Sequence, residues 1–194
     1  MNIELLYIVI YSYILGSIPF GLILTKIFLK KDIRKTGSKN IGATNVLRTG
    51  KKSLGIATLT LDGLKAYVSV LVTLSLFPDY IYFSALLCFL GHIFPIWLKF
   101  NGGKGIAVYL GSLFAFSMYL GFIFIICWIL VFYISRYASL SSLISTLVIL
   151  LYSINLNNLN MSQFLFIIFI IAIYTHRENI SRIRTKKENK INFQ

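Results

Sequence analysis

Long apolar runs divided by short polar islands make up almost the whole chain. An apolar helix needs about 20 residues to cross a bilayer core roughly 30 Å thick. Residues 4–28, 54–77 and 81–98 meet that length, and the pattern predicts a helix over each. The run 106–135 is too long for one crossing and is interrupted near Ser117-Met118-Tyr119, which predicts two shorter spans, about 105–116 and 119–135. A sixth, short span covers 139–152. The uncharged stretch 155–160 turns the chain, and 162–175 supplies a seventh. The pattern therefore predicts an all-α integral membrane protein of about seven helices, several of them short. Five spans with partial helices is the alternative. No basic residue precedes the first run and no Ala-x-Ala-like site follows it, so it reads as a retained span. Ser53 is the expected cap of the second.

Three polar islands interrupt these runs: 30–53, 99–105 and the tail 176–194. With the spans they form a single polytopic domain over 1–194. Charge orients it. The chain has 19 Lys/Arg against six acids, a net charge of +13, which in a soluble protein would suggest nucleic acid. Here the cations gather in alternate loops: eight in 30–53, two in 99–104, one in 136–138 and six in the tail. That asymmetry predicts an N-terminus outside, a C-terminus in the cytoplasm, a bilayer as partner and no nucleic acid. Cys88 and Cys127 lie inside apolar runs, so neither a disulfide framework nor a metal site is expected.

The chemistry concentrates in the islands. The first carries Gly37-Ser-Lys-Asn-Ile-Gly-Ala-Thr-Asn-Val-Leu-Arg48, rich in hydrogen-bond donors, with Asp32 the one acid of its island. Such a loop suits a phosphorylated ligand. The second, Asn101-Gly-Gly-Lys-Gly105, opens directly into an apolar helix. Its backbone donors with Lys104 read as an anion cradle, or as a flexible turn between spans. It is not a P-loop, because Gly105 stands where Ser or Thr is needed. Asp62 and Lys65, three residues apart, share one face of the second span. Two readings stand for them, a structural intramembrane ion pair or part of a site. His92 and His176 are the only histidines, and so the first general-base candidates, with interfacial anchoring as the other reading. Serines 139, 141 and 142 are hydroxyl donors or helix caps. The basic tail beyond Arg182 suits lipid headgroups.

Six segments together resemble one family, the bacterial membrane glycerol-3-phosphate acyltransferases that use acyl-phosphate as donor. They are Gly16-Ser-Ile-Pro-Phe-Gly21, the stretch from Gly37 to Arg48, Leu61-Asp-Gly-Leu-Lys65, Gly91-His-Ile-Phe-Pro-Ile-Trp-Leu-Lys-Phe-Asn-Gly-Gly-Lys-Gly105, Arg136-Tyr-Ala-Ser-Leu-Ser-Ser142 and His176-Arg-Glu-Asn179. They run in the family's order over nearly the whole chain. Ser141 departs from the pattern, standing where a small apolar residue is common, and Gly63 and Ala66 vary the Asp-x-x-Lys segment.

The resemblance implies a seven-spanning enzyme of the bacterial inner membrane with its site facing the cytoplasm. It implies transfer of a fatty acyl group from acyl-phosphate to the sn-1 hydroxyl of glycerol 3-phosphate, giving lysophosphatidate and phosphate, without cofactor or metal. Carried over by motif, the catalytic residues are Ser38, Arg48, His176 and Asn179. Asn40, Asn45, Gly102, Gly103, Lys104, Gly105 and Ser142 bind substrate, with Asp62, Lys65 and His92 in support. The attacking hydroxyl is activated by His176 or by a substrate phosphate, and the sequence leaves both open. An acyl-enzyme at Ser38 is disfavoured, since no base-plus-orienter partner is visible. The competing reading is an organic-phosphate transporter, which shares basic inner loops and buried Asp62 and Lys65. It is disfavoured by the lack of an internal repeat.

Overall fold

The computed structural model describes residues 3–190. Among these it contains ten α-helices: α1 (Ile3–Ser17), α2 (Phe20–Leu29), α3 (Ala43–Leu47), α4 (Lys52–Leu76), α5 (Ile81–Ile93), α6 (Ile106–Phe116), α7 (Met118–Ser135), α8 (Ala138–Ile154), α9 (Leu159–Thr175) and α10 (Arg177–Arg184). Three short 3-10 turns (Ile33–Lys35, Pro78–Tyr80 and Ile96–Leu98) complete the secondary structure described. Among the described residues four stretches are long and apolar enough to cross a bilayer: Ile3–Leu29, Lys52–Leu76, Pro78–Leu98 and Met118–Ser135. Helices α6 and α8 are shorter apolar helices, and α9 meets α10 at a 58° bend. Large apolar side chains such as Ile56, Tyr119 and Ile134 stand exposed along these helices, a surface suited to lipid rather than water. The protein is an all-α, multi-pass membrane protein.

The helix ends follow local chemistry, and three differ from the sequence expectation. The first run is not one continuous helix over 4–28. Pro19 has no N–H and a fixed φ, so α1 stops at Ser17 and α2 starts at Phe20. The helix over 81–98 stops at Ile93, because Phe94 precedes Pro95 and is pushed out of the helical region. Ser53 is not a cap; α4 begins at Lys52, and Lys51 at the cap position makes no side-chain cap bond. The interruption near Ser117 is present, with that residue extended at φ −165° between α6 and α7.

The chain forms two compact units, the first ending at Phe116 and the second starting at Ser117. In the first unit α4 is the hub, packing against α1, α2, α3, α5 and α6. Its buried polar residues Thr58, Asp62, Lys65, Ser69 and Thr73 recur every three or four positions, so they form one stripe. That stripe faces inward, as polar side chains in a membrane do when neighbouring helices can satisfy them. Ser84 of α5 joins Ser69 and Ser12 of α1 at 2.9 Å each, and Tyr11 bonds to Thr73. Where α4 crosses α6, Gly111 lies directly on the backbone of Gly63, closer than any side chain would permit.

In the second unit α8 packs against α7, α9 and α10. It buries Ser139, Ser141, Ser142, Ser145, Thr146 and Ser153. Several of these hydroxyls donate to carbonyls one turn back, as Ser141 does to Tyr137 at 2.9 Å and Thr146 does to Ser142 at 2.7 Å. This lets a hydroxyl-rich helix pack in an apolar setting.

Gly111→Ala should separate α4 from α6 and lower stability by about 1–3 kcal/mol, the usual cost of overpacking. Thermal unfolding in detergent reads this directly, and an unchanged melting temperature would disprove the backbone contact.

Candidate active site

The island after α2 is an ordered loop folded around one amide. Asn45 is buried. Its side-chain oxygen accepts the Ser38 N–H at 2.8 Å, and its nitrogen donates to the carbonyls of Ile33, Thr36 and Asn40 at 3.1, 3.1 and 2.7 Å. Asn40 in turn accepts the Gly42 N–H at 2.9 Å. Beneath these bonds Leu22, Ile33, Ile41 and Val46 form a small apolar core, against which Leu54 and Leu98 pack. Leu98 belongs to the 3-10 turn ahead of the glycine loop, so both islands of this unit rest on one core. Asp32 accepts hydrogen bonds from the Arg34 side chain at 3.0 and 2.7 Å. The Arg34 guanidinium holds its carboxyl down at about 2. The island's one acid is thus committed, and the loop keeps a net positive field. Ser38 is half-buried and Arg48 exposed. Neither the Ser38 hydroxyl nor the Arg48 guanidinium has a partner among the described residues.

The glycine loop is fastened to the end of α5. Lys99 and Phe100 both take positive φ (51° and 62°) and reverse the chain. The Gly102 N–H then donates to the Ile93 carbonyl at 2.9 Å, and the Gly103 N–H to the His92 carbonyl at 3.0 Å. These two amides are therefore not donors to an anion, a correction to the cradle expected from the sequence. The glycines serve close approach instead: a Cβ at Gly103 would overlap the His92 ring. Gly105 lies against the Phe89 ring, and its carbonyl accepts the Tyr109 N–H in the first turn of α6. The start of α6 follows at once, offering its first-turn N–H groups and the positive end of the helix dipole. Lys104 is half-buried beside it.

Behind this loop lies the buried ionic cluster. The Lys65 ammonium donates to Asp62 at 2.8 Å, to the Ile18 carbonyl at 2.8 Å and to His92 Nδ1 at 2.9 Å. An ammonium has three donors and no lone pair, so all three are used. His92 Nδ1 accepts, which leaves its ring hydrogen on Nε2, the atom abutting Gly103. Asp62, Lys65 and His92 thus form one buried cluster.

In the second unit His176 ends α9 and is buried. Its Nδ1 lies 2.8 Å from the Ala172 carbonyl. A carbonyl only accepts, so Nδ1 carries the hydrogen and the lone pair of the neutral ring is on Nε2. Asn179, one turn on, is also buried and donates to Glu188. Ser142 does not present a substrate-binding hydroxyl. It donates to the Ala138 carbonyl at 2.8 Å and accepts the Trp128 indole N–H at 3.1 Å, fastening α7 to α8.

Glu188 is a residue that the sequence reading missed. Its side chain is only 6% exposed and accepts from Arg182 at 2.7 Å, from Ser139 at 3.1 Å and from Asn179. Burial pushes its carboxyl up, but the hydrogen bonds from Arg182, Asn179 and Ser139 outweigh this and hold it below the usual range. The available signal was an acid standing in a tail of six cations.

The sequence model of the family described as glycerol-3-phosphate acyltransferase matches residues 6–186. This chain belongs to the glycerol-3-phosphate acyltransferase family. The acyltransferase of that name from Pelagibacter ubique (strain HTCC1062) is 56% identical over 187 residues, which is 96% of this chain and 97% of that one. The fold is similar to that of PlsY (YgiH), an integral membrane glycerol 3-phosphate acyltransferase. Its glycerol 3-phosphate form superposes with a TM-score of 0.92, at 36% identity over 96% of this chain and 95% of the other. Its lysophosphatidic acid form gives 0.89 at the same identity and coverage.

Two variants test this geometry. Asn45→Ala orphans the Ser38 N–H and the Asn40 carbonyl, at about 1–3 kcal/mol for each buried group that finds no water, while the Ile33 and Thr36 carbonyls keep the Thr36 and Lys39 N–H groups. The expected result is faster tryptic cleavage at Lys39, and a wild-type rate would count against the amide's role. Glu188→Ala should lower stability at pH 7 by about 1–3 kcal/mol, typical of hydrogen bonds to a charged group. Because its carboxyl is depressed on folding, that contribution is complete above the ordinary glutamate value and fades as pH falls through the lowered one. The gap between wild type and variant in thermal unfolding should therefore close in acid.

Proposed function

We propose that this protein transfers a fatty acyl group from acyl-phosphate to the sn-1 hydroxyl of glycerol 3-phosphate, releasing phosphate and lysophosphatidate. The observation that carries the reading is the end-to-end likeness to an acyltransferase solved in both glycerol 3-phosphate and lysophosphatidic acid forms. That likeness also supports treating the whole chain as one polytopic catalytic domain. In the reaction the glycerol oxygen bonds to the acyl carbonyl carbon, the carbon–oxygen bond to phosphate breaks, and the hydroxyl proton passes to a base.

Two phosphorylated substrates bring about four negative charges together near neutral pH. Their repulsion must be offset before the reacting atoms can approach. Arg48 suits this role because its fork matches phosphate oxygens and no side chain among the described residues occupies it. Ser38, equally uncommitted, is read as a hydroxyl donor to substrate, and Lys104 with the start of α6 as the second phosphate contact. Asn40 and Asn45 shape the loop on which Ser38 and Arg48 stand. From the second unit the reading takes His176 and Asn179 as contributors to turnover, on the family likeness. His176, with its lone pair on Nε2, has the tautomer a general base requires. A substrate phosphate is the other base, and the pH profile of a His176→Gln variant separates the two. Loss of the limb that titrates near neutrality would assign the step to His176.

The distribution of cations supports a cytoplasmic membrane location, an N-terminus outside and a site on the cytoplasmic side, and crossings by α6, α8 and α9 beside the four long spans would make seven. The acyl chain then lies among the helices, which accounts for an enzyme embedded in the bilayer.

The test is phosphate release by the purified, detergent-solubilised protein given palmitoyl-phosphate with and without glycerol 3-phosphate. Release should require the acceptor and yield lysophosphatidate. Arg48→Ala and Lys104→Ala should each lower kcat/KM by about 100-fold or more, the scale of losing a charged contact to the transition state. Saturable glycerol 3-phosphate binding without turnover would instead favour an organic-phosphate transporter.

A further inference from the structure

A buried ion pair needs only two members, and the cluster on α4 has more. Asp62 neutralises Lys65, yet the ammonium's other two donors reach out to different parts of the first unit. One goes to the Ile18 carbonyl, in the break between α1 and α2. Ile18 sits there because Pro19 interrupts the helix, leaving this carbonyl accessible to a side chain. From the break α2 runs directly into the first loop: Gly21 lies on the Ile41 backbone and Leu22 sits in the core shared with Ile33, Ile41 and Val46. The other donor goes to His92 Nδ1. His92 holds the glycine loop twice, accepting the Gly103 N–H at its carbonyl and packing its ring edge on Gly103.

We propose that Lys65, held by Asp62, is a positioning residue that sets the two loops of the first unit relative to one another. It anchors the first loop through Ile18 and seats the second through His92. This rests on the acyltransferase reading, in which both loops take phosphorylated substrates. The cluster acts through the loops, fixing where Ser38, Arg48 and Lys104 stand. A misplacement of about 1 Å at a reacting centre costs up to about 100-fold in rate, so a hub of this kind bears directly on turnover.

The experiment is a double-mutant cycle in the full-length protein. The first arm is the paired replacement Asp62→Leu with Lys65→Met, which removes both charges and leaves neither buried alone. The second arm is Gly103→Ala, which forces the loop off His92 from the other side. Turnover of the wild type in the same preparation tests the acyltransferase reading separately, so failure of that reading is seen before either variant is measured. With wild-type turnover present, each arm should raise the KM for the same phosphorylated substrate by about tenfold or more. Combined, they should raise it little further, because residues acting through one element are not additive. A wild-type KM in the paired variant, or full additivity with Gly103→Ala, would overturn the proposal. A purely structural ion pair would change the melting temperature and give one of those two results. If the paired variant does not fold, His92→Gln takes its place in the cycle. It leaves Asp62 and Lys65 paired and removes the ring, and the same two outcomes decide.

Discussion

A single ammonium inside the helices of the first unit sets the constraint on which that unit depends. A charge at such depth is costly unless every donor finds an acceptor. Lys65 finds three, on three different segments. Satisfying it requires a carbonyl released from a helix, which Pro19 provides at Ile18, and an imidazole with its lone pair on Nδ1, which His92 provides. The helix break set by Pro19 and the position of His92 under the glycine loop are together what keeps this one cation paired.

The two units arrive at polar order by different means. In the first, polar residues along α4 bridge separate helices, from the Ser12–Ser84–Ser69 chain to the Asp62 cluster. In the second, most hydroxyls of α8 return to their own helix, and the side chain that gathers distant groups is Glu188 at the end of the described tail. Both arrangements rest on one charged group with several partners of opposite polarity.

The apolar runs made the helices legible, because segment length and hydropathy act locally. Pro19 and Pro95 marked the breaks inside two of those runs, yet length alone suggested continuous helices. A proline states only that the ladder stops there; which carbonyl is freed, and what takes it, depends on a neighbour 47 residues away. The loops were legible as donor-rich polar islands but not residue by residue. Nothing local distinguishes Asn45, which turns inward and is saturated, from Ser38 and Arg48, which keep their groups open. The same holds for Ser142, whose hydroxyl is claimed by Trp128, and for Glu188, whose role exists only once the tail folds back on α8.

The fastening of Gly102 and Gly103 to the end of α5 has a consequence for inhibitor design. Those two main-chain amides are already occupied, so at this loop they offer no neutral nest for a phosphate mimic. Under the proposed acyltransferase reading, recognition would then fall more heavily on the Arg48 guanidinium and the Lys104 ammonium, which respond to charge as well as shape. An uncharged isostere with well-placed acceptor oxygens would therefore bind weakly. A compact dianion on an apolar tail would match both the cations and the lipid that surrounds them.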